Sequence, residues 1–152
     1  VNTLPDALQR FHAAQGEDGT GVHAQALREL QAGAKQSHWI WFVLPQLHGL
    51  GRSPMAEYYG IADLAEARAF LADPVLRQRL EAVIAVVAEQ LHCPGQTLPL
   101  LMGGELDAAK TISCLTLFAA AGLPDAEALL HQLNRRCHHT LAQLQGSSEL
   151  GA

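Results

Sequence analysis

A chain of 152 residues that is 49% hydrophobic matches one domain able to bury its own core, and a formal charge of -5 with only ten Lys and Arg leaves no basic stripe for a nucleic-acid backbone. Nucleic acid is therefore not expected as a main partner, nor a membrane, since no apolar run reaches the roughly 20 residues of a spanning helix. Three cysteines, Cys93, Cys114 and Cys137, are an odd number set in apolar patterns, which fits a reduced, cytoplasmic protein, and residues 1–6 lack the basic and apolar regions of a signal peptide.

In chain order, Pro5 suits a first helical position, and Leu4, Leu8 and Phe11 recur at helical spacing until Gly16. Residues 16–21 hold three glycines and two acids and read as a flexible connection. A helix over 22–34 follows through Ala26, Leu27 and Leu30, with Gly33 at its end. Ser53 before Pro54 opens a helix through Tyr59, Asp63 caps another over 64–72, and Asp73 before Pro74 opens the clearest one. That helix carries a stripe of Leu76, Leu80, Val83, Ile84, Val87 and Leu91 and stops at Pro94 and Gly95.

A turn-rich stretch containing Pro99, Gly103 and Gly104 leads to a helix over 105–121 that is apolar nearly all round, as a central helix must be. Gly122 and Pro124 mark its end. One last helix carries Leu129, Leu130, Leu133, Cys137, Leu141 and Leu144 before a polar tail over 146–152, which with residues 1–2 is expected to form flexible ends. With no strand alternation and no internal repeat, the expectation is an all-α, compact multihelical single domain over 1–152 with short connecting loops.

Residues 35–53 carry the most information, because both tryptophans, Trp39 and Trp41, lie there with Phe42. Packing explains these aromatics, since each buries a large apolar area. It leaves Lys35, His38, Gln46 and Arg52 unexplained, because buried polar groups need partners. If Ser37 caps a short helix, Pro45 lies beyond its end, and residues 47–51 form a loop whose glycines allow close backbone approach to a ligand or a neighbouring helix.

Phe11, Gln15, Glu29, Gly33 and Lys35, the run 37–42, Pro45-Gln46, the run 49–51, Ser53, Tyr59 and Ile61 together resemble the DUF1810 family. The likeness continues through Ala67, Leu71, the run 74–76, Arg79-Leu80, Asp107, Lys110, Ser113 and the run 116–118, and so spans nearly the whole chain. It implies an all-helical, multihelical fold and carries no established activity. The chain departs from the family pattern at Asp73, where His is frequent, Arg77, where Gly is common, and Leu115, where Met is usual; all three lie outside 35–53.

Asp107 and Lys110 share a face of the otherwise apolar helix. They read either as an ion pair in an exposed first turn, where Asp suits the helix dipole, or as part of a site in which Lys110 or Lys35 holds an anion and Asp107 orients a polar group or acts as a base. His38 is the best acid or base by its ordinary pKa, and reads equally as a satisfied core histidine. Ser53, Tyr58 and Tyr59 offer hydroxyls, and Trp41 or Trp39 a stacking face.

His138 and His139 are adjacent and point apart on a helix, and His131 and His138 are two turns apart, so neither pair shares an ion. No metal-binding, P-loop, dinucleotide or nucleophile-elbow spacing occurs, Cys114 reads as a small hydrophobe, and no metal or cofactor is expected. The expectation is a pocket between 35–53 and the 105–121 helix for a small, partly anionic, ring-containing molecule of the nucleotide-derivative class. Lys35, Trp41, Gln46, Ser53, Tyr59 and Lys110 would contact it, and His38 and Asp107 would act if it is hydrolysed or cleaved at an N-glycosidic bond. The alternative is a non-catalytic adaptor that docks a protein partner through exposed tryptophans.

Overall fold

A computed structural model describes residues 4–150, which form ten helices: α1 (Leu4–Gln15), α2 (Val22–Gln31), α3 (Ile40–Val43), α4 (Pro54–Tyr59), α5 (Leu64–Ala72), α6 (Pro74–Gln90), α7 (Leu98–Met102), α8 (Glu105–Ala120), α9 (Pro124–Leu133) and α10 (His138–Leu150). The all-α architecture is as expected. Helix α8 is its axis and packs against α3, α5, α7, α9 and α10, while α6 packs against α2, α5 and α9. Its centrality follows from composition, since residues 111–118 are all buried and leave α8 no polar face in its second half. Among the described residues no helix is long and apolar enough to cross a membrane.

The polar starts read from sequence are true caps. Ser53 Oγ accepts from Ala56 N at 3.1 Å, Asp63 Oδ1 from Glu66 N at 2.9 Å, and Asp73 Oδ1 from Val75 N and Leu76 N at 3.0 and 3.1 Å. Each satisfies amides that a helix start leaves without partners. Asp73, one of the departures from the family pattern, also meets His12 Nε2 at 2.7 Å, which ties α6 to α1.

Three expectations are corrected. The turn-rich stretch contains α7, started by Thr97 Oγ1 accepting from Leu100 N and by an early Pro99, and ended by Gly103 at φ +86°. The last helix is two, because Asn134 turns left-handed at φ 52° and closes α9; His131 and His138 therefore lie on different helices. The tail expected from 146 is helical as far as Leu150, while residues 1–2 and 151–152 lie outside the described residues.

Between α3 and α5 the chain is held by a parallel bridge of Leu47 with Ile61, in which His48 N donates to Ile61 O at 2.7 Å and Ile61 N to Gln46 O at 2.9 Å. Gly60 makes this possible: a Cβ there would meet His48 Cα at 2.7 Å and Ala56 O at 2.9 Å. The bridge sets Gln46 against α4, beside α3.

Candidate functional site

Glu29, near the end of α2, organises the start of the aromatic segment. Its carboxylate accepts from Gln36 N at 2.8 Å, Ser37 N at 3.0 Å, Ser37 Oγ at 2.5 Å, Trp39 Nε1 at 2.9 Å and Gln25 Nε2 at 3.1 Å. Burial alone raises its pKa, but the hydrogen bonds from Ser37, Trp39 and the Gln36 and Ser37 amides outweigh this and hold the carboxyl at about 2. Ser37 is consequently not the cap of α3. Its hydroxyl and amide belong to Glu29, and α3 starts after Trp39 with no side-chain cap.

Lys35 comes next. Its backbone N donates to Leu101 O of α7 at 2.7 Å, and its Nζ donates to Ser37 O at 2.7 Å, lies 5.0 Å from the Trp39 ring centre and pairs with Asp107 Oδ2 at 2.9 Å. The helix missing from the sequence reading is thus the one that steers Lys35 toward α8. The Lys35 side chain is only 6% exposed, so this ion pair is part of the fold. Asp107 lies in the first turn of α8, where no side chain caps the helix and a carboxylate is favoured by the positive end of the helix dipole.

Asp107 is shared. Its Oδ1 lies 3.8 Å from Lys110 Nζ, which in turn lies 5.4 Å from the Trp41 ring centre. Two ammonium groups and one carboxylate leave one surplus positive charge, and Lys110, more distant from Asp107 than Lys35 is, carries it toward Trp41. The Trp41 Nε1 is buried and has no hydrogen-bond partner. A line of contacts runs from Glu29 through Trp39, Lys35, Asp107 and Lys110 to Trp41, and it ends on an unsatisfied donor.

At that end lies a cleft lined by Trp41, Gln46, Tyr59, Gly60 and Lys110 over the aliphatic Ile40, Leu44 and Ala56. Its free volume is about 10 Å³, room for no more than a water molecule. The Tyr59 ring is fixed against Phe42 and Phe11, with centres 5.2 and 6.0 Å apart, and burial, aided by Tyr58, raises its phenol pKa, so it meets the cleft neutral.

Of the expected ligand contacts, Trp41, Gln46, Tyr59 and Lys110 line one cleft, and Lys35 and Asp107 support it from behind. His38 is exposed and does not line the cleft, and Ser53 is occupied in capping α4. Sequence reasoning missed the role of Glu29. An acid six residues before Lys35 on a half-buried helix, ahead of a Ser and a Trp that need an acceptor, was the available signal. Cys114 is wholly buried, which raises its thiol pKa and leaves it inert. Among the described residues no three His, Cys, Asp or Glu side chains are grouped so as to hold a metal ion.

A family model described as a protein of unknown function (DUF1810) matches residues 5–144, and the chain belongs to that family. The fold is similar to the crystal structure of the conserved hypothetical protein Rv1873 from Mycobacterium tuberculosis, at 38% sequence identity and a TM-score of 0.82, over 93% of this chain and 98% of that one. No curated protein matches.

Proposed function

We propose that this member of the DUF1810 family binds a small, ring-bearing anion at the cleft between α3 and α8, with Trp41, Gln46, Tyr59 and Lys110 as its contacts. One observation carries the reading: the Trp41 Nε1–H is buried without an acceptor, beside the ammonium that holds the surplus charge. An unmet buried donor costs roughly 1–3 kcal/mol, and an acid oxygen of a ligand would meet it while pairing with Lys110. Because the free volume is small, the reading requires Lys110, 20% exposed, to move outward together with the acid group it pairs. Within the nucleotide-derivative class, a single surplus charge favours a monophosphate or a carboxylated ring over a polyphosphate.

Binding, rather than catalysis, is the function proposed. The hydrolytic extension needs a base at the bound group, and His38 is outside the cleft while Asp107 is held by two lysines. The adaptor alternative asks for exposed tryptophans, whereas Trp39 is 0% exposed and Trp41 half-buried.

A thermal-shift series with nucleoside monophosphates, aromatic carboxylates and ADP-ribose tests the reading. A ligand of the cleft raises the melting temperature progressively with concentration, and the rise disappears in folded Lys110→Met and Trp41→Phe proteins. A flat response to every acid at millimolar concentration contradicts it.

A further inference from the structure

A second groove runs between α2 and α6, with Asp18 and Gly19 of the 16–21 connection at its edge. At about 420 Å³ it is within the range of small-molecule sites and far roomier than the Trp41 cleft. Arg28, Gln31, Gln78 and Arg79 supply its polar groups above an aliphatic floor that includes Leu27 and Ala82.

Arg79 is the unusual member. Its side chain is 11% exposed, Nη1 donates to Gln15 Oε1 at 3.3 Å, Nη2 donates to Asp18 Oδ1 at 2.9 Å, and Nε is buried with no partner. In a planar guanidinium, Nε–H and one Nη2–H form a single edge whose two parallel donors match the two oxygens of a carboxylate. Asp18 engages one of these two donors and leaves the other unmet.

Asp18 is also easily displaced. Its side chain is 92% exposed, and it lies between Gly16 and Gly19, both at φ +80°, so its pair with Arg79 is a surface pair in strength although the arginine is buried. Among the described residues Asp18 is the one acid lining the groove. The histidine there, His23, meets the Arg79 carbonyl through Nε2 at 3.0 Å. Burial outweighs that bond and the Asp18 charge, both of which raise its pKa, and with Arg79's charge adding to burial the pKa is lowered and the ring stays neutral. Arg28 and Arg79 therefore exceed the local acid by one charge with Asp18 in place and by two once it leaves.

We infer that the Nε–Nη2 edge of Arg79 is a binding site for a small carboxylic acid, and that Asp18 is a built-in placeholder which the ligand displaces. A carboxylate is the chemistry already seated on that edge, and the aliphatic floor suits an apolar body behind it better than it suits a bare inorganic ion. The site is separate from the Trp41 cleft and does not rest on the reading of that cleft.

The test follows the Arg79 Nε–H resonance by NMR while benzoate, or inorganic phosphate in parallel, is titrated into the wild-type and Asp18→Ala proteins. A saturable benzoate shift is expected in both, with affinity roughly two- to five-fold tighter in the variant, the worth of an exposed ion pair removed as competitor. Arg79→Lys, which lacks the paired edge, should abolish the saturable benzoate response of the groove's backbone amides, those of Leu27 and Gln78, which wild type shows alongside the Nε–H shift. Should that variant fail to fold, the Asp18→Ala arm decides alone, because it alters only an exposed side chain. No saturable shift in Asp18→Ala at millimolar benzoate, equal affinity in the two proteins, or a response to phosphate alone overturns the inference. Benzoate that moves only the Trp41 indole resonance also overturns it, while leaving the Trp41 cleft standing.

Discussion

Trp39 and Trp41 are separated by one residue, and each lies near a lysine ammonium, yet they have opposite status. Trp39 is fully buried, gives its Nε1–H to Glu29 and carries Lys35 at its ring, and Lys35 is itself tied to Ser37 and Asp107. Trp41 is half-buried, keeps a buried Nε1–H with no acceptor, and has Lys110, the less firmly held of the two lysines, at its ring. The difference lies in the acceptor. α2 supplies a carboxylate to the first indole, and no element supplies one to the second, so the first closes a structural network and the second leaves a recognition group available.

The largest effect is expected at Glu29. Glu29→Gln should lower the unfolding free energy by roughly 2–3 kcal/mol in chemical denaturation, since several donors lose a charged acceptor. The Glu29 carboxyl is depressed in the folded state to about 2 from an ordinary 4.5, so its contribution is fully present above about 4.5 and is lost as pH falls toward 2. The stability gap between wild type and Glu29→Gln should therefore close over that window, and a gap independent of pH would mean that Glu29 acts by shape alone.

Trp39→Phe should cost roughly 2 kcal/mol, through lost packing and a carboxylate with one donor fewer. Lys35→Met should cost about 1–2 kcal/mol, because it strips Asp107 of its nearer cation. Trp41→Phe is predicted to change stability by less than about 1 kcal/mol, since the lost area is offset by removal of an unmet donor. If Trp41→Phe proves as costly as Trp39→Phe in the same denaturation series, the two indoles are both structural and the contrast fails.

Much of the fold was legible because its signals are local. Ser53, Asp63 and Asp73 cap the helices that their side chains announce, and the apolar circumference of residues 111–118 identifies the axis. The failures occurred where a competing contact or a quiet residue decided. Pro99, inside the first turn, and the pair Gly103-Gly104, just after the end, masked α7, which is only five residues long. Asn134 breaks the last helix without a Gly or Pro beside it. Ser37 looks like a cap and is claimed by Glu29.

The candidate site was half legible for the same reason. Charges on an apolar helix marked Asp107 and Lys110, and the aromatic run marked Trp41. The pairing of Lys35 with Asp107 depends on α7, and the assembly of the cleft depends on the Leu47–Ile61 bridge, neither of which is written in local spacing. His38 was singled out for its chemistry and lies exposed outside the cleft, whereas Ser53 has its hydroxyl engaged as a cap.

The most direct measurement uses the two indole Nε1–H resonances of the protein, one per tryptophan, in an NMR titration with a nucleoside monophosphate and with an aromatic carboxylate. With at least one of these acids, the Trp41 resonance should move downfield and saturate while that of Trp39, already bonded to Glu29, stays in place, and Lys110→Met should remove the response. A Trp41 resonance that ignores both acids, or two indoles that move together, would contradict the cleft as a binding site.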